Sequence, residues 1–452
     1  MSNRTLDIID GVLLDCTGAK PREHTSLRVQ DGRISCIWQG DGRPPQAQSP
    51  AARVVEAKGK TIMPGLIDAH VHISYGEGRN AEEVDVYGGP EWNTLRAAWN
   101  AQKVLKAGVT TIIDPGGTYN VGVAVRDAIS NGMFPGPRIC TAGRHITADG
   151  GFADYFPIDM GMPSSAEGVL CSTKEEMLKE VRVQVKNRVD FIKLSGDSQA
   201  QETNAEVGPC FNDDELTAVI GMAHQLGRKV TVHARYAETI VAMIRHGIDW
   251  VLHASHLRSQ DFGYVRDSGV PLCPTVTFAQ NIIDHGNECG SEPGHVEFRK
   301  REVAGLVETY TRAYKMGIPI MAGSETGFSM SPYGEWHARE IELLVDLFGM
   351  TPMDAILAMT KNNAEAIGWQ NDVGTLQVGR YGDILLIDGN PLDDVRILQN
   401  RSRIAAIFKG GVEVDRSPVP ERPRMMHERG FAVSSKRLRL NPQTQEAYAA
   451  QY

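Results

Sequence analysis

The 452-residue chain has only seven cysteines, an odd number spread thinly, and no C-x-x-C pair. Neither a disulfide framework nor a thiolate metal site follows, so reduced, structural thiols are expected. Net positive charge is also missing. With 47 Lys and Arg against 56 Asp and Glu the formal charge is −9, which leaves no bulk attraction to nucleic acid or to anionic membranes. No run approaches the roughly 20 apolar residues that cross a bilayer, and the opening MSNRTLDIIDGVLLDCTGAK lacks the zones of a signal peptide, so a cytoplasmic protein is expected. There is no internal repeat or low-complexity tract. No Gly-rich dinucleotide or phosphate loop follows the early strand-like runs, which counts against a doubly wound nucleotide-binding sheet.

What is present is an ordinary globular composition, 41% apolar and 23% charged, enough for a large core. Residues 1–62 read as short strands (LDIIDGVLLD, SLRVQDGRISCIWQG, ARVVEAKGKTIMPG) with Gly and Asp-Gly punctuation. From 63 to 370 the texture changes to apolar runs of strand length (VTTIID, FIKLS, KVTVHA, DWVLHA, VPLCPTV, IPIMAG). Amphipathic helical segments such as KEEMLKEVRVQVKN and DELTAVIGMAHQLG separate them. Repeated βα units over this length predict an α/β fold, a (β/α)8 TIM barrel. Strand patterns return over 371–416, and since each flank is too short for a core of its own, both chain ends are expected to build one small β-sandwich domain. Residues 417–452, rich in Pro and Arg, read as a surface arm.

The strongest local signal is PGLIDAHVH. In an extended strand residues two apart share a side, so His70 and His72 present two imidazoles to one metal ion. Lys193 lies inside the apolar run Phe191–Leu194, where a buried ammonium needs a carboxylate partner, a route to the surface, or carboxylation by carbon dioxide to an anionic metal ligand. His233 ends KVTVHA and His253 ends DWVLHA, about one βα unit apart, which brings both to the same barrel mouth. His256, three residues beyond His253, competes for that position. Glu325, among small residues after IPIMAG, is placed to take a proton from water at a metal.

Taken together, PGLIDAHVH, AGVTTIIDPGG, GPRICTAGRHIT, VDFIKLSGD, KVTVHA, GIDWVLHAS, PIMAGSETG and the late GMTPMDAILAMTKNNAEAIG resemble the amidohydrolase superfamily. The similarity covers nearly the whole chain and is nearest to the prolidase-like and ochratoxin-cleaving branch, with affinity to phenylurea and molinate hydrolases. The resemblance implies two divalent ions, zinc first. His70 and His72 would hold one, His233 and His253 the other, with N-carboxylated Lys193 as the bridge and a bridging hydroxide as nucleophile. Glu325 would act as base and metal ligand, and His145 or His256 would steady the oxyanion.

Three positions depart from that pattern. Glu325 stands where Asp is usual, Gly150–Asp154 read GGFAD in place of GGHGD, and His233 is followed by Ala234 and Arg235 where a second histidine is common. The first bears on the base and the metal stoichiometry, and the other two fall where substrate contacts are expected. Phe152, Tyr155, Phe156, Phe328, Tyr333 and Trp336, with Arg235, are therefore the candidate wall for an aromatic group.

The implied activity is cleavage of an amide, urea or carbamate C–N bond in a small molecule, such as an N-acyl amino acid or aryl amide, by a homo-oligomer. Xaa-Pro or Xaa-Arg dipeptide cleavage and aryl urea or thiocarbamate hydrolysis are the alternatives. A deaminase or a non-enzymatic scaffold ranks lower, because Lys193 and all four histidines are present.

Overall fold

The computed structural model describes residues 5–42 and 52–422. The strand-patterned ends of the chain meet in one eight-stranded sheet. Thr5–Leu13, Arg22–Gln30 and Arg33–Gln39 run antiparallel in series. Lys60–Pro64 joins Thr5–Leu13 to the late strand Ile384–Asp388, and Ile404–Lys409 and Val412–Glu413 continue outward from there. Arg53–Glu56 pairs alongside Thr5–Leu13. Alternation in these strands turns Ile8, Leu27, Ile62, Ile384, Leu386 and Phe408 into a core of their own. Of the stretch expected to be an arm, only 417–422 is described. There the Ser417 carbonyl accepts from Lys106 Nζ at 2.5 Å and Arg422 lies 5.4 Å from the Trp92 ring centre; residues 423–452 lie outside the described residues.

Between the flanks the strands are parallel and separated by helices, a TIM-barrel-type α/β arrangement. The hydrogen-bonded ladders are not one closed eight-stranded ring, however. Leu66–Asp68, Val109–Asp114 and Arg138–Thr141 form a three-stranded sheet. A six-stranded one contains Gly168–Leu170, His145–Thr147, Phe191–Ser195, Lys229–Tyr236, Trp250–His256 and Leu272–Cys273. Single backbone bonds run between the arcs: Asp190 N to Thr141 O at 2.8 Å, Met321 N to Leu272 O at 2.8 Å, and Ala69 N to Ala322 O at 3.0 Å.

Two expected strands are shorter than their apolar runs. VPLCPTV keeps only Leu272–Cys273, because Thr275 adopts a left-handed φ of 54° and Val276 starts the helix Val276–Cys289. IPIMAG makes an isolated bridge at Ile320 rather than a ladder. Its backbone is held instead by Asn363, whose Nδ2 donates to Ile67 O at 2.6 Å and Ala322 O at 2.7 Å while Oδ1 accepts from Ala322 N at 3.2 Å. Asn363 follows a π-helical turn, Ala358–Asn362, that interrupts the expected late helix.

The outer helices start where the sequence supplies caps. Thr173 and Asn212 each accept from the backbone three residues on, and Glu176 and Glu215 close the reciprocal bonds. Lys174–Lys186 and Asp213–Gln225 then turn Met177, Val181, Leu216, Val219 and Ile220 onto the parallel strands. Because each strand is fixed at its start by such packing, the residues at and just beyond the strand ends are free to carry chemistry.

Candidate active site

His70 and His72 lie just past the end of Leu66–Asp68, not within the strand, but the backbone stays extended through bonds from Val71 N to Ile113 O at 3.0 Å and His72 N to Thr326 O at 2.7 Å. Their Nε2 atoms are 3.0 Å apart. That is within the roughly 4 Å that two nitrogens, each about 2.0–2.1 Å from one zinc, can span. His72 Nδ1 donates to Gly116 O at 2.7 Å, which leaves the Nε2 lone pair facing His70. Glu325 completes the group: His70, His72 and Glu325 each bring one donor atom within 4.8 Å of the others.

Gly116 is needed where it stands, since a Cβ there would lie 1.7 Å from His145 Nε2. Glu325 itself takes a left-handed φ of 55°, as does His253 at 73°. For non-glycine residues this costs energy and occurs where the surroundings enforce it.

The enforcing contacts are identifiable. Asp68, fully buried, accepts from His70 N at 3.1 Å and Ser324 N at 2.9 Å on one oxygen, and from Ser324 Oγ at 2.5 Å and His337 Nδ1 at 2.7 Å on the other. His337 Nε2 in turn accepts from Gly334 N at 3.0 Å. One carboxylate thus ties the His70 backbone to the residue preceding Glu325. On the other side, Thr275 Oγ1 donates to Pro274 O at 2.7 Å and accepts from His253 Nδ1 at 2.6 Å, leaving His253 Nε2 as a lone pair.

The imidazoles form a chain, with ring centres 4.4 Å apart for His233 and His253, 5.3 Å for His253 and His70, 4.8 Å for His70 and His72, and 6.0 Å for His72 and His145. Burial lowers the pKa of every one, to about 3 for His72, so they are neutral donors at neutral pH. His70 Nδ1, His145 Nε2 and His253 Nε2 are buried without any hydrogen-bond partner. Of these, His253 Nε2 is a lone pair by its hydrogen bonding, and an uncompensated buried lone pair fits a divalent cation.

Lys193 sits among them, fully buried, and burial pulls its ammonium down to about 7 against the fields of Glu325 and Glu167. Burial pushes Glu325 up to about 7, opposed by Arg299 and Arg235.

The second histidine pair fits a metal less simply. Arg235 Nη1 is 2.7 Å from His233 Nε2, and an accepting Nε2 places the ring proton on Nδ1. Asp197 Oδ2, 3.6 Å from the same nitrogen, is the acceptor that would let Nδ1 carry the lone pair instead. Phe152 stacks on the His233 ring at 3.7 Å. Arg235 is anchored to Glu302 at 2.7 Å, and Glu302 also accepts from Arg299 at 2.5 Å.

A cavity of about 310 Å³ gathers His70, His72, His145, Lys193, His233 and Glu325 with Phe152, Tyr155, Arg235 and Phe328. His253 touches this set through its neighbours' rings. Four expected contacts lie elsewhere. His256 stacks on Tyr236 at 5.5 Å and lines a separate cavity with Glu308 and Arg258, because it falls three residues further along the strand, past the mouth. Trp336 is 1% exposed and packs with Phe278, Ile282, Cys289 and Met330 as core beneath Phe328. Tyr333 is buried behind the site, its hydroxyl donating to His72 O at 2.5 Å and accepting from Gly76 N at 3.0 Å. Phe156 does not line the cavity.

Sequence reasoning missed Tyr75, Asp85, Glu167, His295 and Arg299, which also line it. They come from loops and helices, Asp85 at the end of Ala81–Asp85 and His295 and Arg299 within Pro293–Lys315, and carry no periodic signal that points to the cavity.

Residues 61–414 match the model of the amidohydrolase family, and the chain belongs to that family. It is an enzyme, a hydrolase acting on C–N bonds. Members generally work with a divalent metal centre, and the His70, His72 and Glu325 group is able to hold one. Among relatives, ochratoxinase of Aspergillus niger is 26% identical over 375 residues, covering 77% of this chain and 75% of the relative. The A. niger ochratoxinase crystal structure superposes with a TM-score of 0.80 at 22% identity, over 91% of this chain and 96% of that one. A Xaa-Pro dipeptidase with methionine in its active site gives 0.76 at 24% identity, over 90% and 99%, and molinate hydrolase gives 0.76 at 24%, over 94% and 99%.

Proposed function

We propose that this enzyme cleaves an amide, urea or carbamate-like C–N bond of a small molecule with an aromatic part, of the N-acyl amino acid or aryl amide class. The observation that carries the reading is the convergence of His70 and His72, their Nε2 atoms 3.0 Å apart, with Glu325 on one point, beside the unpartnered Nε2 of His253. On this reading His70, His72 and Glu325 hold one divalent ion, and His233 and His253 a second, zinc in both cases. Lys193 is N-carboxylated between them. Its amine, held near neutral by burial, is the form that adds to carbon dioxide. Residues 63–370 form the catalytic unit, 1–62 and 371–416 the small β domain, and the chain works as a cytoplasmic homo-oligomer.

When bound, the cations supply Lewis acidity to the scissile carbonyl and bring the pKa of water toward neutrality. The chain's own residues do the rest. Glu325, with an affinity for protons matched to neutral pH, takes the proton of the attacking water and returns it to the leaving nitrogen. His145 has Nδ1 3.2 Å from Ser195 Oγ; when that hydroxyl donates to it, Nε2–H is a donor for the developing oxyanion. Phe152 and Phe328, with Tyr155 exposed at the rim, offer ring faces to an aromatic substituent.

A hydrolysis screen of N-acyl aromatic amino acids, dipeptides and N-aryl ureas, with products identified, tests the reading. Cleavage at the C–N bond is expected, with Glu325→Gln losing orders of magnitude in turnover while retaining metal. No cleavage of any of these, or parental turnover by Glu325→Gln from about pH 6 to 9, overturns it. Lys193→Ala should be partly rescued by added short-chain carboxylates; a fully active Lys193→Arg would exclude carboxylation, since a guanidinium cannot carry that group.

A further inference from the structure

One stretch of the same cavity wall takes no part in the chemistry above. Asp85 ends the short helix Ala81–Asp85 and is 1% exposed. Its Oδ1 accepts from Glu167 N at 2.9 Å, while Oδ2 is buried with no hydrogen-bond partner. Glu167 is itself 6% exposed and has the phenols of Tyr75 and Tyr155 beside it. Both carboxyl groups and both tyrosines line the cavity, and the Tyr75 ring stacks on His72 at 4.1 Å. The acidic wall therefore begins one ring away from the reacting centre.

No cation nearby is committed to it. Among the described residues neither carboxylate enters a salt bridge. Arg144, whose field reaches Asp85, spends its guanidinium on the carbonyls of Ala166 at 2.8 Å and of Gly168. The arginines that line the cavity are committed to other acids, Arg79 to Glu83 and Arg235 and Arg299 to Glu302. Lys193 is the cation whose field reaches Glu167, and its carboxylation removes that charge. Two buried carboxyl groups then face the cavity, with burial pushing both pKa values up. Glu167 has the two phenols as hydrogen-bond partners, but Asp85 Oδ2 has none, and a ligand that brings a donor to it recovers the cost of burying it unpaired.

We infer that Asp85 and Glu167 form a subsite for a cationic group of the substrate, so that the molecules this enzyme takes are C–N compounds carrying an ammonium or related cation next to the aromatic part. The inference rests on the hydrolase reading for the bond cleaved, but binding tests it separately. The probes are 2-phenylethylammonium, the neutral 2-phenylethanol and the anionic 3-phenylpropionate, titrated calorimetrically into the zinc-loaded protein.

The ammonium should bind at least about ten-fold tighter than the alcohol. Asp85→Asn and Glu167→Gln, which keep shape and the Oδ1 bond, should each bring that preference to within about two-fold while leaving alcohol binding unchanged. Equal binding of ammonium and alcohol by the parent, tighter binding of the anion, or a preference that survives both substitutions overturns the subsite. Should a variant be poorly folded, the comparison of the three probes on the parent still decides. Failure of every amide and urea to turn over would count against the hydrolytic reading alone, and the binding preference would stand or fall independently.

Discussion

Replacing Asp68 by Asn leaves the shape of the side chain intact and changes only which hydrogen bonds are available, so its cost can be worked atom by atom. The amide oxygen can keep the two backbone donors, His70 N and Ser324 N. The amide nitrogen then faces Ser324 Oγ and His337 Nδ1. Ser324 adapts, because it can accept from the amide and send its own proton to Thr326 Oγ1, 2.7 Å away.

His337 cannot. If Nδ1 keeps its proton, two donors meet; if the proton moves to Nε2, it meets the Gly334 N–H 3.0 Å away. One buried donor is left without an acceptor in either tautomer, a loss of about 1–3 kcal/mol. With unfolding entropy of about 2.1 cal/mol/K per residue over 452 residues, that is a fall in Tm of roughly 1–3 °C. The larger effect falls on turnover. Relief of the conflict moves Ser324, the residue before Glu325, and a misplacement of about 1 Å at a catalytic group can cost about 100-fold. Asp68→Asn should therefore lower kcat by about 10- to 100-fold with little change in KM, read by steady-state kinetics beside a thermal melt. Parental kcat with an unchanged Tm would refute the hydrogen-bond assignment.

Gly116→Ala should push His145 out of the cavity, because its Cβ would lie 1.7 Å from Nε2; kcat should fall while metal content holds, and parental kcat would contradict this. Arg235→Met frees His233 Nε2 to hold a proton toward Asp197, so that Nδ1 carries the lone pair for a metal ion. Zinc titration should show tighter binding of the second ion, whereas unchanged affinity would mean that Arg235 does not hold the ring in the wrong tautomer. The pH dependence of kcat/KM should show a limb that rises with pH as Glu325 loses its proton, at or below about 7, since a bound cation only favours the carboxylate. Arg299 lowers that value, so Arg299→Gln should move the limb to higher pH; movement to lower pH would exclude Glu325 as the base.

The ligand candidates were legible in the sequence because strand spacing is local: two residues in extended chain share a side, and PGLIDAHVH, FIKLS, KVTVHA and DWVLHA each set a histidine or lysine in or just after an apolar strand run. Choosing between His253 and His256 was harder, since both lie on the same strand. The decision comes from the left-handed φ of 73° at His253, which turns that ring toward His70 and His233, while His256 continues past them.

Trp336 shows the opposite failure. Its place after the late strand suggested the cavity, yet the side chain is consumed by packing against Phe278 and Met330. The acidic wall was not legible at all. Asp85 and Glu167 are 82 residues apart and meet through a side chain to backbone bond that no periodicity encodes. The same holds for Asn363, which reaches across 296 residues to Ile67. Ladders and faces follow from pattern, whereas contacts made by single polar side chains between distant loops follow only from the folded chain.

On the proposed function, His70 and His72 with Glu325 form a divalent metal site on which C–N hydrolysis depends. Equilibrium dialysis of chelator-stripped protein against zinc, followed by elemental analysis of the parent, His70→Asn and His72→Asn, tests it most directly, with turnover measured on the same samples. The parent is expected to take up zinc and recover activity, while each variant loses an ion and its turnover without unfolding. Parental zinc content and parental turnover in either variant would contradict it.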